Sequence, residues 1–377
     1  MVRKNLKSTL NPLKGFIIMS SKFRKIGILS SGGDAPGMNA AIRAVTRRAL
    51  EEGIEVVGIL EGYTGLIEDK TVALTTESVS NIVTHGGTIL YSSRCPEFKT
   101  EEGMAKAIKT CEKHQIDAII AIGGDGTFRG ATDLTNHGIP SIGLPGTIDN
   151  DITATELTIG YDTAVNTLLE MIDYLRDTCE SHARCNVVEV MGNGCGMIAL
   201  YAGIATGAVT IAIPEIKFDE DVAIAKIEAT RAAGKRGIIA VFSEGLPSPN
   251  DQKYSEYFAD RVAKETGIDT RFARCGHIIR GGSPTLRDRM TATQMGVEAV
   301  ELLLAGKSNL VVCINENRIN SCDIHFALIL DRMYKNKLKP GDLDAFTTYQ
   351  VAEMKARCEY RHKKIERLYQ MAHEVCH

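Results

Sequence analysis

Short apolar runs alternate with amphipathic stretches along most of this 377-residue chain. The apolar runs are nearly continuous in Ile, Val, Leu and Ala, which is typical of parallel strands buried on both faces of a sheet. The pattern predicts nine strands, at Lys25–Leu29, Val56–Leu60, Ala118–Ile122, Ser141–Leu144, Val187–Val190, Val209–Ile213, Gly237–Phe242, Arg271–His277 and Leu310–Ile314.

Helical patterns lie between these runs, for example at Ala40–Glu51, Thr163–Arg176, Ala223–Ala233 and Met290–Leu304. Several of them end at a glycine, as expected of a helix C-terminal cap. Strands alternating with helices predict a doubly wound α/β fold with a mostly parallel sheet. The length allows two domains of ordinary size.

The last segment, residues 344–377, has a different pattern. It is polar, with six basic residues interleaved with apolar ones, and this predicts an amphipathic helix packed on the domain or on a neighbouring subunit. A solvated face is the more common role for such charges.

Composition narrows the possible functions. Hydrophobic residues make up 44% and charged residues 24%, with a formal net charge of −3, so nothing favours a nucleic acid or membrane partner. Ten scattered cysteines form no C-x-x-C pair, which favours reduced thiols and a cytoplasmic location. The basic and apolar start is too short in its apolar part for a signal peptide, so residues 1–22 are predicted to be a flexible arm.

Two glycine-rich loops follow predicted strands and precede helices. They read Ser31-Gly32-Gly33-Asp34-Ala35-Pro36-Gly37-Met38-Asn39 and Gly123-Gly124-Asp125-Gly126-Thr127. Glycines let backbone N–H groups approach a phosphate, and a helix N-terminus favours an anion. Asp125 is suited to Mg²⁺ on a polyphosphate, although capping the next helix is an alternative role. Together the two loops favour a nucleotide site.

A third loop, Pro145-Gly146-Thr147-Ile148-Asp149-Asn150-Asp151, carries polar residues at alternate positions. In an extended segment Thr147, Asp149 and Asp151 point the same way. A carboxylate there could orient and deprotonate an acceptor hydroxyl during phosphoryl transfer. An Asx-rich turn is the structural alternative.

These loops, in this order, resemble the bacterial-type ATP-dependent 6-phosphofructokinase family. Further matching strings are Ser181-His182-Ala183-Arg184, Val188-Glu189-Val190-Met191-Gly192 and Gly276-His277-Ile278-Ile279-Arg280-Gly281-Gly282. The resemblance implies two doubly wound, Rossmann-like domains and a C-terminal helical extension. It places an ATP-binding domain at 23–160 and 279–328, and a sugar-phosphate-binding domain at 161–278 and 329–343.

The resemblance also implies a glycolytic reaction, in which ATP–Mg²⁺ phosphorylates the 1-hydroxyl of fructose 6-phosphate to give fructose 1,6-bisphosphate and ADP. Asp149 would be the base, supported by Thr147 and Asp151, and Arg94 would stabilise the transferring phosphoryl group. The ATP site would comprise Gly33, Tyr63, Arg94, Cys95, Gly126, Thr127 and Gly130, with Asp125 holding Mg²⁺. Besides Thr147, Asp149 and Asp151, the sugar-phosphate site would comprise Arg184, Met191, Glu244, Arg271, His277 and Arg280.

Oligomeric state and regulation also follow from the resemblance alone. Arg184 and Arg271 would reach the site of a neighbouring subunit, which implies a homotetramer. Arg43, Arg47, Arg176, Lys235 and Arg236 resemble parts of the family's effector site, and a solvated basic face is the alternative. Val209, Thr76 and Asn193 depart from the family pattern, so altered or weakened allostery is expected.

The phosphoryl donor is predicted from two glycines. Pyrophosphate-dependent members carry Asp where this chain has Gly126 and Lys where it has Gly146, and an Asp there would repel the α-phosphate of ATP. Three alternatives stay open at this point: a pyrophosphate-dependent enzyme, a kinase for another sugar phosphate, and a catalytically silent regulatory paralogue.

Overall fold

A computed structural model describes residues 23–376 and contains two β-sheets. The larger sheet has seven strands in the order β11-β10-β5-β4-β1-β2-β3. Its strands are β1 (Lys25–Ser31), β2 (Glu55–Ile59), β3 (Thr71–Leu74), β4 (Ala118–Gly123), β5 (Ser141–Pro145), β10 (Leu310–Asn315) and β11 (Arg318–Asp323). The five inner strands run parallel, while β3 and β11 are antiparallel edges.

The smaller sheet has four parallel strands in the order β7-β8-β6-β9. They are β6 (Cys185–Val190), β7 (Thr210–Ala212), β8 (Ile238–Ser243) and β9 (Thr270–Cys275). Every residue of β6 and β8 is buried, which explains the apolar run of β8, whereas β6 also buries Asn186 and Glu189. The fold is therefore α/β with two mostly parallel, doubly wound sheets, as predicted.

Eleven α-helices are present in the described part of the chain. They are α1 (Met38–Glu51), α2 (Tyr63–Ile67), α3 (Glu101–His114), α4 (Asp125–Asn136), α5 (Tyr161–His182), α6 (Met197–Ala205), α7 (Glu220–Ala232), α8 (Tyr254–Thr266), α9 (Leu286–Leu304), α10 (Ile324–Tyr334) and α11 (Thr348–Val375). None of them is long and apolar enough to cross a membrane.

The order of the larger sheet positions the site. From β1 the chain moves to β2 on one side, whereas β4 and β5 lie on the other side. Ligands of open α/β sheets bind outside the carboxyl ends of strands where the order reverses in this way. Here the crevice lies between β1 and β4, each of which ends in one of the glycine-rich loops.

The predicted domain limits stay predictions. Residues 329–334, predicted to belong to the sugar-phosphate domain, form the second half of α10, which packs against α4, β10, β11 and α11. The arm at 1–22, like residue 377, lies outside the described residues.

The C-terminal segment forms the predicted helix, α11. It starts with a capping box in which Thr347 and Gln350 satisfy each other's backbone N–H groups. The helix packs on α10 and on α6, so it contacts both halves of the chain. A solvated face was expected for its basic residues. Arg361 departs from this, because it is only partly exposed and donates to the backbone oxygens of Asn150 and Ile152.

Candidate active site

The three polar loops lie side by side at the carboxyl ends of β1, β4 and β5. Ser31 pairs with Gly123 across β1 and β4, and Gly123 pairs with Pro145 across β4 and β5. Because these strands are parallel neighbours, their loops emerge at the same edge of the sheet. The arrangement predicted from the sequence motifs is thus assembled by the sheet order.

Hydrogen bonds lock the first two loops together. Thr127 is buried and its hydroxyl donates to the Ser31 backbone oxygen at 3.0 Å. A Cβ on Gly123 would lie 2.3 Å from the Thr127 hydroxyl oxygen, so only glycine fits there. In contrast, a Cβ on Gly124 or Gly126 would meet nothing within 4 Å. The two loops are therefore tightly packed at Gly123 and Thr127, whereas the side formed by Gly124 and Gly126 is open.

Residues predicted to line the nucleotide site fall into two groups. Tyr63 is buried, stacks on Phe98 and donates to the Thr127 backbone oxygen at 2.6 Å, and Gly130 leaves the space that its ring fills. Tyr63 therefore supports the second loop from behind. Arg94 is exposed, has no hydrogen bond within residues 23–376, and precedes the half-buried Cys95.

The loop that carries Arg94 is fastened to the first glycine-rich loop. The Ser92 hydroxyl donates to the Gly32 backbone oxygen at 2.5 Å, and the Gly32 N–H donates to the Ser93 backbone oxygen at 3.5 Å. Arg94 thus lies beside the loop expected to hold phosphates, with its guanidinium free to engage an anion.

Asp149 has the geometry of a general base. Its side chain is only 6% exposed; the Thr147 hydroxyl donates to Oδ2 at 3.3 Å, whereas Oδ1 is buried without a partner among the described residues. Burial, together with the nearby Asp151 carboxylate, raises the pKa of Asp149 to about 6, although Arg280 opposes this. An unpartnered acceptor with a pKa near working pH suits proton abstraction from a hydroxyl.

The loop around Asp149 is held by Asn150, which adopts a left-handed conformation with φ 51°. Its side-chain oxygen accepts from the Thr158 N–H at 2.9 Å, and its amide donates to the Glu156 backbone oxygen at 3.1 Å. The carboxylates on either side of Asn150 are thereby fixed relative to the sheet.

A second group of acidic residues surrounds the ammonium of Lys335. The sequence analysis predicted no role for this lysine. Lys335 lies 2.9 Å from an Asp331 oxygen and 3.4 Å from an Asp151 oxygen. Burial disfavours its charge, but Asp331 and Asp151 outweigh burial and raise the pKa of Lys335. Burial and the Asp331 carboxylate raise the pKa of Asp125 to about 7, against the effect of Lys335. The only sequence signal was the helical i,i+4 spacing of Asp331 and Lys335.

This acidic group fits a phosphate-bound Mg²⁺. A carboxyl whose ionisation is hindered by burial and by other carboxylates is stabilised by an added cation. No cluster of three or more His, Cys, Asp or Glu that could hold a metal ion is present among residues 23–376. Magnesium commonly takes one or two carboxylates together with phosphate oxygens and water.

Arg280 lies against the first glycine-rich loop and close enough to Asp149 to affect its pKa. Its Nη1 donates to the Asp34 backbone oxygen at 3.1 Å, and a Cβ on Gly33 would lie 2.7 Å from the same atom. Gly33 therefore allows the guanidinium to approach the first loop. The positive charge also opposes the rise in the pKa of Asp149.

The second sheet contributes Met191, Glu244 and His277 at the carboxyl ends of β6, β8 and β9. The Glu244 carboxylate accepts from the Gly192 and Asn193 N–H groups at 3.2 and 3.1 Å, which fixes the turn that follows Met191. The sequence predicted β9 to continue through His277, but β9 ends at Cys275 and His277 is exposed in a 3₁₀ turn.

Arg184 and Arg271 lie at the opposite end of the smaller sheet. They flank Asp269, whose carboxylate accepts from Arg184 at 2.6 Å and lies 3.2 Å from Arg271. The helix α5 separates Arg184 from the Asp149 loop, and its 22 residues span about 33 Å. One chain therefore does not bring these two arginines to its own Asp149.

The predicted effector residues form separate groups within the chain. Arg43 and Arg47 lie on α1, and burial, then the neighbouring Arg47, lowers the pKa of Arg43. Arg176 donates to the Thr206 backbone oxygen, and Arg236 donates to the Glu180 and Ser181 backbone oxygens. Burial, then Arg176, lowers the pKa of Lys235. Binding an effector with all five residues stays a prediction.

Comparison with known proteins decides the family. The model of the family described as phosphofructokinase matches residues 25–303. The chain belongs to the phosphofructokinase family. The ATP-dependent 6-phosphofructokinase of Clostridioides difficile (strain 630) is 50% identical over 311 residues, 82% of this chain and 96% of that one. The enzyme of the same name from Clostridium tetani (strain Massachusetts / E88) is 50% identical over 315 residues, 84% and 97%.

Solved phosphofructokinases share the fold. The Saccharomyces cerevisiae structure superposes with a TM-score of 0.77 at 32% identity and covers 85% of this chain. This chain spans about half of that yeast chain, 47% of its length. The pyrophosphate-dependent phosphofructokinase of Marinobacter aquaeolei has a TM-score of 0.71 at 21% identity, covering 80% and 83% of the two chains, which supports the fold alone.

Proposed function

We propose that this protein is an ATP-dependent 6-phosphofructokinase, which transfers the γ-phosphoryl group of ATP to the 1-hydroxyl of fructose 6-phosphate. The single observation that carries the proposal is Asp149, whose buried, unpartnered oxygen lies beside two glycine-rich loops. The curated relatives of this name at 50% identity support both the donor and the acceptor.

Asp149 takes the proton as the hydroxyl attacks. The Thr147 hydroxyl orients its other oxygen, while Asp151 and burial keep its pKa high enough for a useful base. The products are fructose 1,6-bisphosphate, ADP and the proton on Asp149. Arg94 supplies positive charge toward the transferring group from the nucleotide side, and Arg280 contributes to the sugar-phosphate site.

Asp125 would hold Mg²⁺ on the nucleotide, with Asp151 close by and Lys335 balancing the remaining acidic charge. When bound, the ion neutralises charge on the β- and γ-phosphate oxygens. Glycines 124 and 126 leave the phosphate side of the second loop free of side chains.

The donor argument rests on Gly126 more than on Gly146. A side chain at Gly126 has open space, so its absence leaves room for the α-phosphate of ATP. A Cβ on Gly146 would lie 2.9 Å from Ile122 and 3.0 Å from Met38, so packing alone requires a small residue there.

A homotetramer would complete the acceptor site. Met191, Glu244 and His277 face the sugar from one chain, whereas Arg184 and Arg271 lie at the opposite, amino end of the smaller sheet. Two arginines flanking one carboxylate can instead present forked donors to a phosphate bound by a neighbour.

Subunit mixing tests this arrangement. Asp149→Asn and Arg271→Gln chains, each inactive alone, should regain activity when unfolded and refolded together, because some sites then receive both intact groups. Self-mixed variants provide the control. Failure of the mixture, with tetramers of both chains present, would show that the arginines do not act across subunits.

The function itself is tested by following fructose 1,6-bisphosphate with ATP–Mg²⁺ and with pyrophosphate–Mg²⁺. Wild-type activity with ATP, together with a fall of about 10²–10⁴-fold in Asp149→Asn, would support the assignments of the phosphoryl donor, the acceptor and the base. Activity mainly with pyrophosphate would refute the donor assignment. Activity with neither donor would favour another sugar phosphate or a silent regulatory subunit. Action in the cytoplasm is part of the same proposal.

A further inference from the structure

A cavity of about 570 Å³ lies behind the catalytic loop, between α11 and the β10–β11 hairpin. The hairpin and α11 follow residue 303, where the match to the family model ends. The cavity is distinct from the two glycine-rich loops, since none of their residues lines it, and Asn150 is its nearest part of the third loop. Its volume suits a small metabolite.

Cationic side chains dominate one wall. Arg318 and Lys364 line the cavity and make no ion pair or side-chain hydrogen bond within residues 23–376. Arg357 pairs with Glu353 at 2.6 Å, so that acid does not neutralise them. With Arg361, four cations face three acids, Glu353, Glu156 and Glu316, which leaves a net charge of +1. Such a wall attracts an anion.

Two buried polar atoms in the lining have no hydrogen-bond partner among residues 23–376. They are the hydroxyl oxygen of Thr153, a residue that is 9% exposed, and Nε of Arg361. Leaving such groups unsatisfied costs free energy, whereas an oxygen atom of a ligand could accept from both. The floor of the cavity is thus suited to a charged oxygen.

The remaining wall is apolar. Met197, Ile319 and Ile365 line it, and the ring of Tyr360, 61% exposed, stands at its edge. Apolar walls with a few convergent polar groups are the usual form of a metabolite site. A simple inorganic anion would leave this surface unused.

We propose that the cavity binds an organic phosphate carrying an apolar group, and that this ligand acts on the loop that carries Asp149. Its phosphate accepts from Arg318, Lys364, Arg361 and Thr153, while its apolar part packs on Met197 and Ile365.

The contacts of Arg361 connect the cavity to catalysis. Its guanidinium donates to the Asn150 and Ile152 backbone oxygens, directly after Asp149. The Thr153 N–H donates to Asp331, which also neighbours Lys335 and Asp125. A ligand that satisfies Arg361 and Thr153 therefore orders residues 150–156 and, through them, Asp149.

Covalent labelling tests the site without relying on activity. Pyridoxal 5′-phosphate is an aromatic phosphate whose aldehyde condenses with a lysine amine, releasing water, and borohydride reduces the imine to a stable amine. ADP–Mg²⁺ and fructose 1,6-bisphosphate are present to occupy the phosphate loops. Peptide mass spectrometry then compares Lys364 with Lys363, which pairs with Glu359 and is 70% exposed outside the cavity.

The expected result is that Lys364 is labelled at least about tenfold faster than the more exposed Lys363. Arg318→Gln should slow labelling of Lys364 by about tenfold, the loss of one charge-assisted hydrogen bond. Lys363→Gln, the matched control, should leave it unchanged. Equal labelling of the two lysines, or no effect of Arg318→Gln, would overturn the site.

Hydrogen exchange tests the connection to the loop. Unreduced pyridoxal 5′-phosphate should slow amide exchange in residues 150–156 of the wild type and of Lys363→Gln, but not of Arg318→Gln. If Lys364 is selectively labelled while exchange at 150–156 is unchanged, the proposed action on the catalytic loop is wrong.

Discussion

The pH dependence of turnover tests the assignment of Asp149 as the base. Its pKa is raised from 3.8 to about 6, first by burial and then by the Asp151 carboxylate. The active form is the ionised one, so the rate must fall as pH drops through this pKa. We therefore expect an acid limb in kcat/KM for fructose 6-phosphate, measured at saturating ATP–Mg²⁺.

The size of the effect follows from the fraction of Asp149 that is ionised. One pH unit below the pKa, about one tenth of the carboxyl is ionised, so kcat/KM falls about tenfold per unit. Bound Mg²⁺ adds positive charge near Asp149, which lowers its pKa. The limb should consequently lie at or below pH 6.

Two variants separate the causes of the raised pKa of Asp149 and of the acid limb. Asp151→Asn removes the nearby like charge, so the limb should move to lower pH but stay above 3.8, because burial is the larger cause. Asp149→Asn should lower kcat by about 10²–10⁴ and abolish the limb. A limb centred well above pH 6, or one that persists in Asp149→Asn with folding unchanged, would refute the assignment.

Three further predictions concern the surroundings of the base. Because the pKa of Asp125 is about 7 without a metal, protons should compete with Mg²⁺, and KM for ATP–Mg²⁺ should rise below pH 7. Asp125→Asn should raise this KM roughly 10- to 100-fold and remove its pH dependence, as measured from initial rates. Gly126→Asp should fold normally, since a Cβ at this position meets no other atom, but its kcat/KM for ATP should fall at least about tenfold. Gly126→Ala is the control, and an unchanged kcat/KM in Gly126→Asp would contradict the donor argument. Arg361→Gln should lower the free energy of unfolding by about 1–3 kcal/mol in urea titrations, because two backbone oxygens lose a charged donor. Arg367→Gln, a change at an exposed position of the same helix, should leave the free energy of unfolding unchanged.

The inner strands were predictable because burial on both faces leaves a continuous apolar run. The sequence therefore predicted β4 and β8 nearly to the residue. It missed β3 and β11, which are antiparallel edges with exposed residues and no such run. Edge strands are stabilised by a neighbour that local sequence does not reveal.

The same distinction, between local sequence patterns and contacts made by distant elements, applies to the residues of the candidate site. Residues within glycine-rich or acidic strings, such as Asp125 and Asp149, could be predicted because the chemistry needs those residue types at that spacing. Asp331 and Lys335 come from a helix more than 170 residues after these loops and belong to no string. Their role depends on α10 packing against α4, which the sequence pattern did not specify.

The position of α5 links the two halves of the site. It starts at Tyr161, two residues after Ile159 bridges to Gly146 beside the catalytic loop, and ends next to Arg184. A helix of about 33 Å keeps Arg184 and Arg271, the arginines predicted to bind the sugar phosphate, away from their own Asp149. The same length would let them reach outward to another subunit, where a substrate phosphate could join the two chains. If subunit mixing restores activity, catalysis and assembly depend on the same pair of arginines, and any ligand that shifts one subunit against another changes the affinity for the sugar phosphate.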